Sequence, residues 1–595
     1  MVYVHITRYA RAYSTEALHT QATQPTSRRS FCKRSHRSRR TCGRPCNSHE
    51  DANVQLTTRG RLCMHTRSSL VVVAYMGADQ WLWPWAPPPP PLLLALWRRL
   101  VWQPRALAQS FARQGIRGPP YRFLAGSLPE VKRLALRTWT SVAMTSCLSC
   151  CLPPFHRWVV EYGRTFLYWI GPTPAIFSVD LELIKEVLTD RSGLFAKDFM
   201  IPVFKVLLGN GLILANGDDW KRHRKVVLPA FNHDRIKSMS AVTAEATEQM
   251  ARRWCEQILN SGARQAAEIQ VDLTAEIIGR AAFGTSHQEA GEVLVLMHEM
   301  QKMGAAAMLD GPILWHLPTR RNLTVRRLDK LLRSKITAMM AARVAAANCG
   351  GGYGDDLLGL LLEAWSPEPE RQAGSDDDEG TTTTLTTGEV IDECKTFFGA
   401  GQETTATLLV WTVFLLSTHP QWQDKVREEV LREFPGGDGD VPNSDTLSRL
   451  KLLHMVLLET LRLYPPIVYI QRTTASDVVL RGIEVPGGTV ISIPIGLLQR
   501  DREVWGSDAD EFNPLRFSNG VARAAMDPHA LLSFSLGPRA CTGKSFGIIE
   551  AQIVMAVTLR KFTFSLSPTY VHKPKYVVSL TPKCGMPLIF KSLHG

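Results

Sequence analysis

The sequence predicts a mainly α fold with a smaller β-sheet region, on three observations. A long apolar run between Thr387 and Pro420 has the length and end signals of one continuous helix. Residues 240–350 are rich in Ala, Leu, Met and Arg and carry few turn signals, as helices do. Short β-like runs occur early, at Phe166–Ile170 and Ala175–Val179, and again at Val478–Leu480, Ile483–Val485 and Thr489–Ile493, where Gly487-Gly488 supplies a turn within a small sheet.

With 595 residues, 45% of them hydrophobic and 21% charged, the chain can bury a sizeable core. The formal net charge is +14, but residues 1–75 hold 13 Lys/Arg against 3 Asp/Glu, so +10 of it sits in this leader. The remaining residues carry only +4, which removes any nucleic-acid reading based on overall basicity. The 12 cysteines form no disulfide framework. Cys255, Cys349, Cys394, Cys541 and Cys584 are scattered through the body, as in a reduced, cytosol-facing protein. Cys42, Cys46, Cys147, Cys150 and Cys151 lack partners at zinc spacing.

Three segments follow one another. Residues 1–75 are basic, acid-poor and without apolar periodicity, and are expected to be disordered. Their composition suits a transit peptide, an interaction tail, or upstream sequence ahead of a true start at Met76; the last is favoured because a complete beginning follows. Residues 76–120 are expected to hold an N-terminal membrane anchor and a hinge. Trp81–Trp97 is apolar, near the lower length limit of a span, and Arg98, Arg99 and Arg105 follow it. Pro87–Pro91 cannot form a regular helix interior, so the anchor is either poor or partly interfacial, and a proline-rich linker is the alternative. Gly118-Pro119-Pro120 supplies the hinge, and residues 121–595 form the globular body.

Within the body, Trp220 and Arg224 stand four apart, hence on one helical face, where an indole N–H and a guanidinium suit one carboxylate. Ser375–Thr384 is an acidic, low-complexity loop. In the long helix, Thr387 is the expected N-cap, Glu389 lies in the first turn and Pro420 ends the run. Inside it, Ala400-Gly401-Gln402-Glu403-Thr404-Thr405 puts a small pair, an acid and a hydroxyl where apolar residues prevail. A glycine there costs about 1 kcal/mol relative to alanine, and a buried acid must find partners. Threonine hydroxyls bonding back to the helix are the structural alternative.

Leu450–Tyr464 is a further helix stopped by Pro465-Pro466, carrying Glu459 and Arg462 at ion-pair spacing. Arg472 follows the stop, and Arg516 lies in Asn513-Pro514-Leu515-Arg516-Phe517. Last comes Phe534-Ser535-Leu536-Gly537-Pro538-Arg539-Ala540-Cys541-Thr542-Gly543, ahead of the helical run Lys544–Leu559. A cysteine before a helix start is expected to deprotonate easily and suits a soft metal. Gly537 and Gly543 allow tight turns and close approach of a flat ligand, Phe534 is placed to pack under the loop, and Arg539 can reach an anion.

The spacing F-x-x-G-x-R-x-C-x-G resembles the haem-binding loop of the cytochrome P450 family, and Ala400–Thr404 resembles that family's oxygen-activation groove. The W-x-x-x-R and E-x-x-R pairs stand in the family's order, and the resemblance covers roughly 121–594. It is closest to plant microsomal members that hydroxylate fatty acids, terpenoids and hormones. One departure is Gln499, where many relatives have His.

The resemblance implies the cytochrome P450 fold and haem b, with Cys541 as axial iron ligand. It implies propionate contacts from Trp220, Arg224, Arg472 and Arg539, and proton delivery by Glu403 and Thr404 beside Gly401. Glu459, Arg462 and Arg516 would be structural, with both arginines on the same glutamate. The implied reaction inserts one atom of O2 into a C–H bond of a lipophilic small molecule, with electrons from NADPH through cytochrome P450 reductase, which would dock near Lys544. The implied location is the endoplasmic reticulum membrane with the body facing the cytosol, in preference to plastid or mitochondrial targeting. A haem-thiolate isomerase or dehydratase of hydroperoxides, and a non-catalytic haem-binding protein, are the alternatives. Substrate choice is expected to fall to Phe195–Leu214, Ile467–Gln471 and the 295–320 region.

Overall fold

The computed structural model describes residues 90–593, apart from 141–152, 199–202, 261–278, 281–282, 285–286, 309–314, 316, 355, 366–383, 436–441, 443 and 577. The basic leader, the first part of the expected anchor, the cysteines at 42, 46, 147, 150 and 151, and nearly all of the acidic loop lie outside the described residues.

The described chain begins with a helix, Pro90–Trp97, whose first residues are the last two prolines of the expected anchor. Proline is tolerated there because first-turn N–H groups have no intrahelical acceptor. A π-helical turn, Arg98–Trp102, leads into Gln103–Arg113. Leu92, Leu93, Leu94, Leu96, Trp97 and Trp102 are exposed, whereas Phe111 at the far end is buried. Among the described residues no helix is long and apolar enough to cross a membrane. The segment expected to form the hinge is packed closely: a Cβ on Gly118 would overlap the Leu167 carbonyl oxygen, and Leu167 N–H donates to the Arg117 carbonyl at 3.0 Å.

In chain order the strands are β1 (Thr165–Ile170), β2 (Thr173–Ser178), β3 (Phe195–Ala196), β4 (Ile470–Thr474), β5 (Val478–Leu480), β6 (Ile483–Val485), β7 (Val490–Ile493), β8 (Phe562–Leu566), β9 (Pro574–Tyr576), β10 (Leu580–Pro582) and β11 (Leu588–Ser592). One five-stranded sheet has the order β1-β2-β7-β4-β3, with only the β2–β7 pair parallel. The three strands expected together in one small sheet are divided. β7 is buried at every residue and joins the large sheet, whereas β5 and β6 expose their middle residues and form a separate ribbon. β8 pairs with β11 and β9 with β10. Phe177 fastens the large sheet to the core, stacking on Phe155 and Phe166 at 4.7 and 4.8 Å between centroids.

Helices make up most of the rest, and 240–350 holds the expected ones: His233–Asn260, His287–Met308 and Arg320–Ala346. Five helices build the site: α1 (Leu181–Thr189), α2 (Gly217–Val227), α3 (Thr387–Thr418), α4 (Lys451–Leu463) and α5 (Lys544–Lys561). In α3 the N-cap is Thr386, one residue ahead of the expected position, in a capping box with Glu389. The helix stops at Thr418 because Pro420 opens the next one. At 32 residues it spans about 48 Å, so one element runs from α2 to the centre of the body.

Candidate active site

The Phe534–Gly543 segment closes on itself. Cys541 N–H donates to the Phe534 carbonyl at 2.9 Å and Ala540 N–H to the Gly537 carbonyl at 3.1 Å. Ser535 and Gly537 both take left-handed φ, +61° and +68°, and this folds the loop back towards α5. Gly537 serves the protein's own packing: a Cβ there would overlap the Leu188 carbonyl oxygen in α1 and lie 2.8 Å from Thr189 Cα. Gly543, the N-cap residue of α5, has only the Phe231 ring, 3.7 Å from where its Cβ would stand. Lys544 Nζ lies 5.9 Å from the Phe534 ring centroid.

Cys541 is solvent-accessible, yet burial pushes its thiol pKa up, with the Gly543 N–H, Lys197 and Lys544 offsetting part of the shift. The expected easy deprotonation is therefore not a property of the free thiol, because desolvation outweighs the helix start. A coordinated metal reverses that balance, since a coordinating thiol loses its proton outright.

Above the loop, cations gather. Arg539 donates to the Ala215 and Ile213 carbonyls at 2.7 and 3.3 Å, and its Nε is buried without a partner. Its guanidinium sits 4.7 Å from the Trp220 ring centroid, and that of Arg224 5.6 Å from the same ring. Among the described residues the guanidinium of Arg472, in β4 and 3% exposed, donates only to the neighbouring Gln471 carbonyl at 2.8 Å. Burial pushes the Arg472 pKa down to about 10. Burial, then repulsion from Arg472 and Arg224, brings Arg539 to about 10 as well. Lys197, just after β3, falls well below its ordinary value through burial, then repulsion from Arg472 and Arg539. Among the described residues none of Lys197, Arg224, Arg472 and Arg539 forms an ion pair with a carboxylate. Desolvated like charges held together are costly unless an anion joins them. The donor set therefore fits a group bearing carboxylates on one edge and a metal that takes a thiolate.

The third part of the site is on α3, which packs against α5. Thr404 donates its hydroxyl hydrogen to the Ala400 carbonyl at 2.7 Å. Glu403 Oε1 accepts from Ser579 Oγ at 2.5 Å, and Ser579 Oγ accepts from Thr407 at 3.1 Å. Glu403 and Thr404 thus have separate partners, with Gly401 half-buried in the same turn. The next residue, Thr405, meets α5: a Cβ on Gly547 would stand 3.7 Å from its hydroxyl. Glu550, one turn further along α5, is 2% exposed, its Oε1 is buried without a hydrogen-bond partner among the described residues, and burial pushes its pKa up to about 8. Phe231, beside Gly543, stacks on Phe397 of α3 at 5.8 Å. These contacts bring the Glu403 turn and the cysteine loop to one place.

The supports are polar and buried. Arg462 grips Glu459 with two hydrogen bonds of 2.7 Å, both side chains wholly buried. Arg516 Nε stands 3.8 Å from Glu459, while its Nη2 donates to Asp508 at 2.7 Å, so its tighter partner is one the sequence did not suggest. Gln499, the residue expected to depart from the family pattern, is a buried link. Its amide donates to the Leu461 and Arg462 carbonyls and accepts from Leu532 N–H and Ser533 Oγ, binding α4 to the start of the cysteine loop. His223, between Trp220 and Arg224, meets Glu393 at 2.5 Å, and Arg222 meets Glu389 at 2.5 Å, fixing α2 on α3.

Sequence reasoning missed Lys197, Ser579 and the His223–Glu393 pair. His223 was visible inside the W-x-x-x-R run, whereas Lys197 and Ser579 carry no local spacing signal.

Residues 155–586 match the family model described as Cytochrome P450. Among curated proteins the chain is 39% identical to Cytochrome P450 709B3 of Arabidopsis thaliana, over 83% of this chain and 94% of that protein. It is 37% identical to Cytochrome P450 734A1 of the same plant, over 83% and 93%. Secologanin synthase 2 of Catharanthus roseus is 35% identical, over 84% and 95%. The match takes in every residue from Lys197 to Cys541, and the relatives are covered over more than nine-tenths of their lengths, so this chain belongs to the cytochrome P450 family of haem-dependent monooxygenases.

Proposed function

We propose that Cys541 would supply the thiolate ligand of haem b and that the enzyme inserts one oxygen atom into a C–H bond of a lipophilic fatty-acid-, terpenoid- or hormone-like molecule. The observation that carries this reading is the gathering of Lys197, Arg224, Arg472 and Arg539 near Cys541 without a carboxylate partner among the described residues. Two haem propionates would be the missing anions, held by Trp220, Arg224, Arg472 and Arg539, with Lys197 added to the expected set. Phe534, Gly537 and Gly543 shape the loop that presents the thiolate, and Glu459, Arg462 and Arg516 keep its scaffold rigid. Haem iron, when bound, supplies the redox chemistry for using O2.

The chain's own part is to place protons and exclude water. Thr404 has given its hydrogen to Ala400, so its oxygen is left to accept from a water molecule. Glu403 passes protons to that water, and the apolar remainder of α3 keeps bulk solvent out. Electrons come from NADPH through a separate reductase that docks on the thiolate side, where Lys544 is exposed. The exposed leucines and tryptophans of 92–102, with Arg98, Arg99 and Arg105, support attachment to the endoplasmic reticulum membrane. Substrate choice falls in part to the Ile467–Gln471 stretch, where Tyr469 is held by hydrogen bonds to Tyr168 and Ser492 at 2.8 and 2.9 Å.

Haem retention tests the reading. Arg472→Gln and Lys197→Gln should each release haem faster to excess apomyoglobin while keeping the wild-type far-ultraviolet dichroism. Wild-type retention in the double variant would overturn the propionate assignment.

A further inference from the structure

We propose that Ser579, on the turn between β9 and β10, is a positioning residue that holds the Glu403 carboxylate at a fixed station apart from Thr404. The inference rests on the proposed role of Glu403 and adds the group that governs it.

Ser579 is 1% exposed and lies 176 residues beyond Glu403, so only the fold joins them. Its hydroxyl has one hydrogen. Thr407, 3% exposed, donates into the Ser579 oxygen at 3.1 Å, which leaves the Ser579 hydrogen for Glu403 Oε1 at 2.5 Å. The chain Thr407→Ser579→Glu403 is therefore polarised in one direction and ends on the carboxylate.

The backbone beside Ser579 is fixed on two sides. The Leu580 carbonyl accepts from Trp411 Nε1 of α3 at 2.6 Å, and Leu580 N–H donates to the Pro466 carbonyl at 3.0 Å. Leu580 also pairs with Tyr576 across the β9–β10 ribbon. The hydroxyl thus has a station that does not depend on Glu403, and the glutamate, which has several side-chain rotamers of its own, is the group being placed. Thr404 meanwhile is committed to Ala400. Separate anchoring keeps acid and hydroxyl apart, so that water must connect them, and it prevents the acid from sampling positions that would open other proton routes.

The test uses the haem-loaded full chain, with carbon monoxide as the probe. Infrared difference spectra on photolysis of the reduced CO complex report carboxyl groups near the ligand, and Glu403→Gln identifies the Glu403 band. Ser579→Ala should shift or broaden that band and split the C–O stretch into more than one conformer, while Ser579→Thr, which keeps the hydroxyl, should restore the wild-type spectrum. With NADPH and a plant reductase, peroxide released per NADPH should rise roughly two- to tenfold in Ser579→Ala, the equivalent of one hydrogen bond, and fall back in Ser579→Thr. A wild-type spectrum in Ser579→Ala, alongside an altered one in Glu403→Gln, would overturn the Ser579 role alone. An unaltered spectrum in Glu403→Gln would overturn both this inference and the reading of Glu403.

Discussion

The cysteine loop and the central turn of α3 face one site but are held in place by different means. The loop is fixed by backbone: Cys541 N–H on the Phe534 carbonyl, a left-handed Gly537 against α1, and Gln499 fastening Leu532. The α3 turn has a regular helical backbone, and its chemistry is set by side-chain hydrogen bonds, Thr404 to Ala400 and Glu403 to Ser579. Substitutions around the loop should therefore damage stability and haem binding together. Those on the α3 turn should change what is done with electrons while leaving the fold intact.

The most damaging predicted change lies behind the loop. Arg462→Ala removes both short hydrogen bonds from the wholly buried Glu459, leaving it Asn513 N–H at 3.0 Å and Arg516 Nε at 3.8 Å, and should lower the unfolding free energy by about 3–5 kcal/mol. Urea denaturation would measure this, and a loss under 1 kcal/mol would separate α4 from the stability of the loop.

Next is the contact between the two sides, where Glu550 meets Thr405. Its carboxyl pKa is raised from 4.5 to about 8 by burial, so the folded chain holds a proton that the unfolded chain releases. That contribution is fully present below about pH 4.5 and is lost as pH rises through about 8, with a size on the order of a few kcal/mol. Wild-type urea midpoints should fall between pH 6 and 9, and Glu550→Gln should flatten that slope.

Gly537→Ala should cost about 1–3 kcal/mol, because the left-handed φ and the overlap with Leu188 both oppose a Cβ. The change should also weaken haem binding, read as a lower melting temperature and faster haem loss. Thr404→Ala should change stability least, by under about 1 kcal/mol, yet divert reducing equivalents to peroxide. Equal coupling in Thr404→Ala and wild type would erase the contrast between the two sides.

Legibility in the sequence follows the same division. The ends of α3, α4 and α5 could be read from Glu389, Pro420, Pro465 and the loop glycines, because caps and breakers act within a few residues. Trp220, Arg224 and Cys541 were legible for the same reason. Arg539 was readable as a residue able to reach an anion, Arg472 stood out only through the family pattern, and both lie, with Cys541, around Lys197. Lys197 and Ser579 reach the site through sheet edges and turns far away in sequence, so no local periodicity marks them. Arg516 illustrates the intermediate case: the motif placed it near Glu459, but its 2.7 Å bond to Asp508 depends on how residues 505–517 fold. The β5–β6 ribbon split from β7 because sheet membership depends on partners that lie elsewhere in the chain.

The central claim is that Cys541 is the haem ligand, and the absorption spectrum of the reduced CO complex tests it most directly. The wild type should give the thiolate-type spectrum, and Cys541→Ala should lose it even where some haem remains bound. A thiolate-type spectrum persisting in Cys541→Ala would contradict the account.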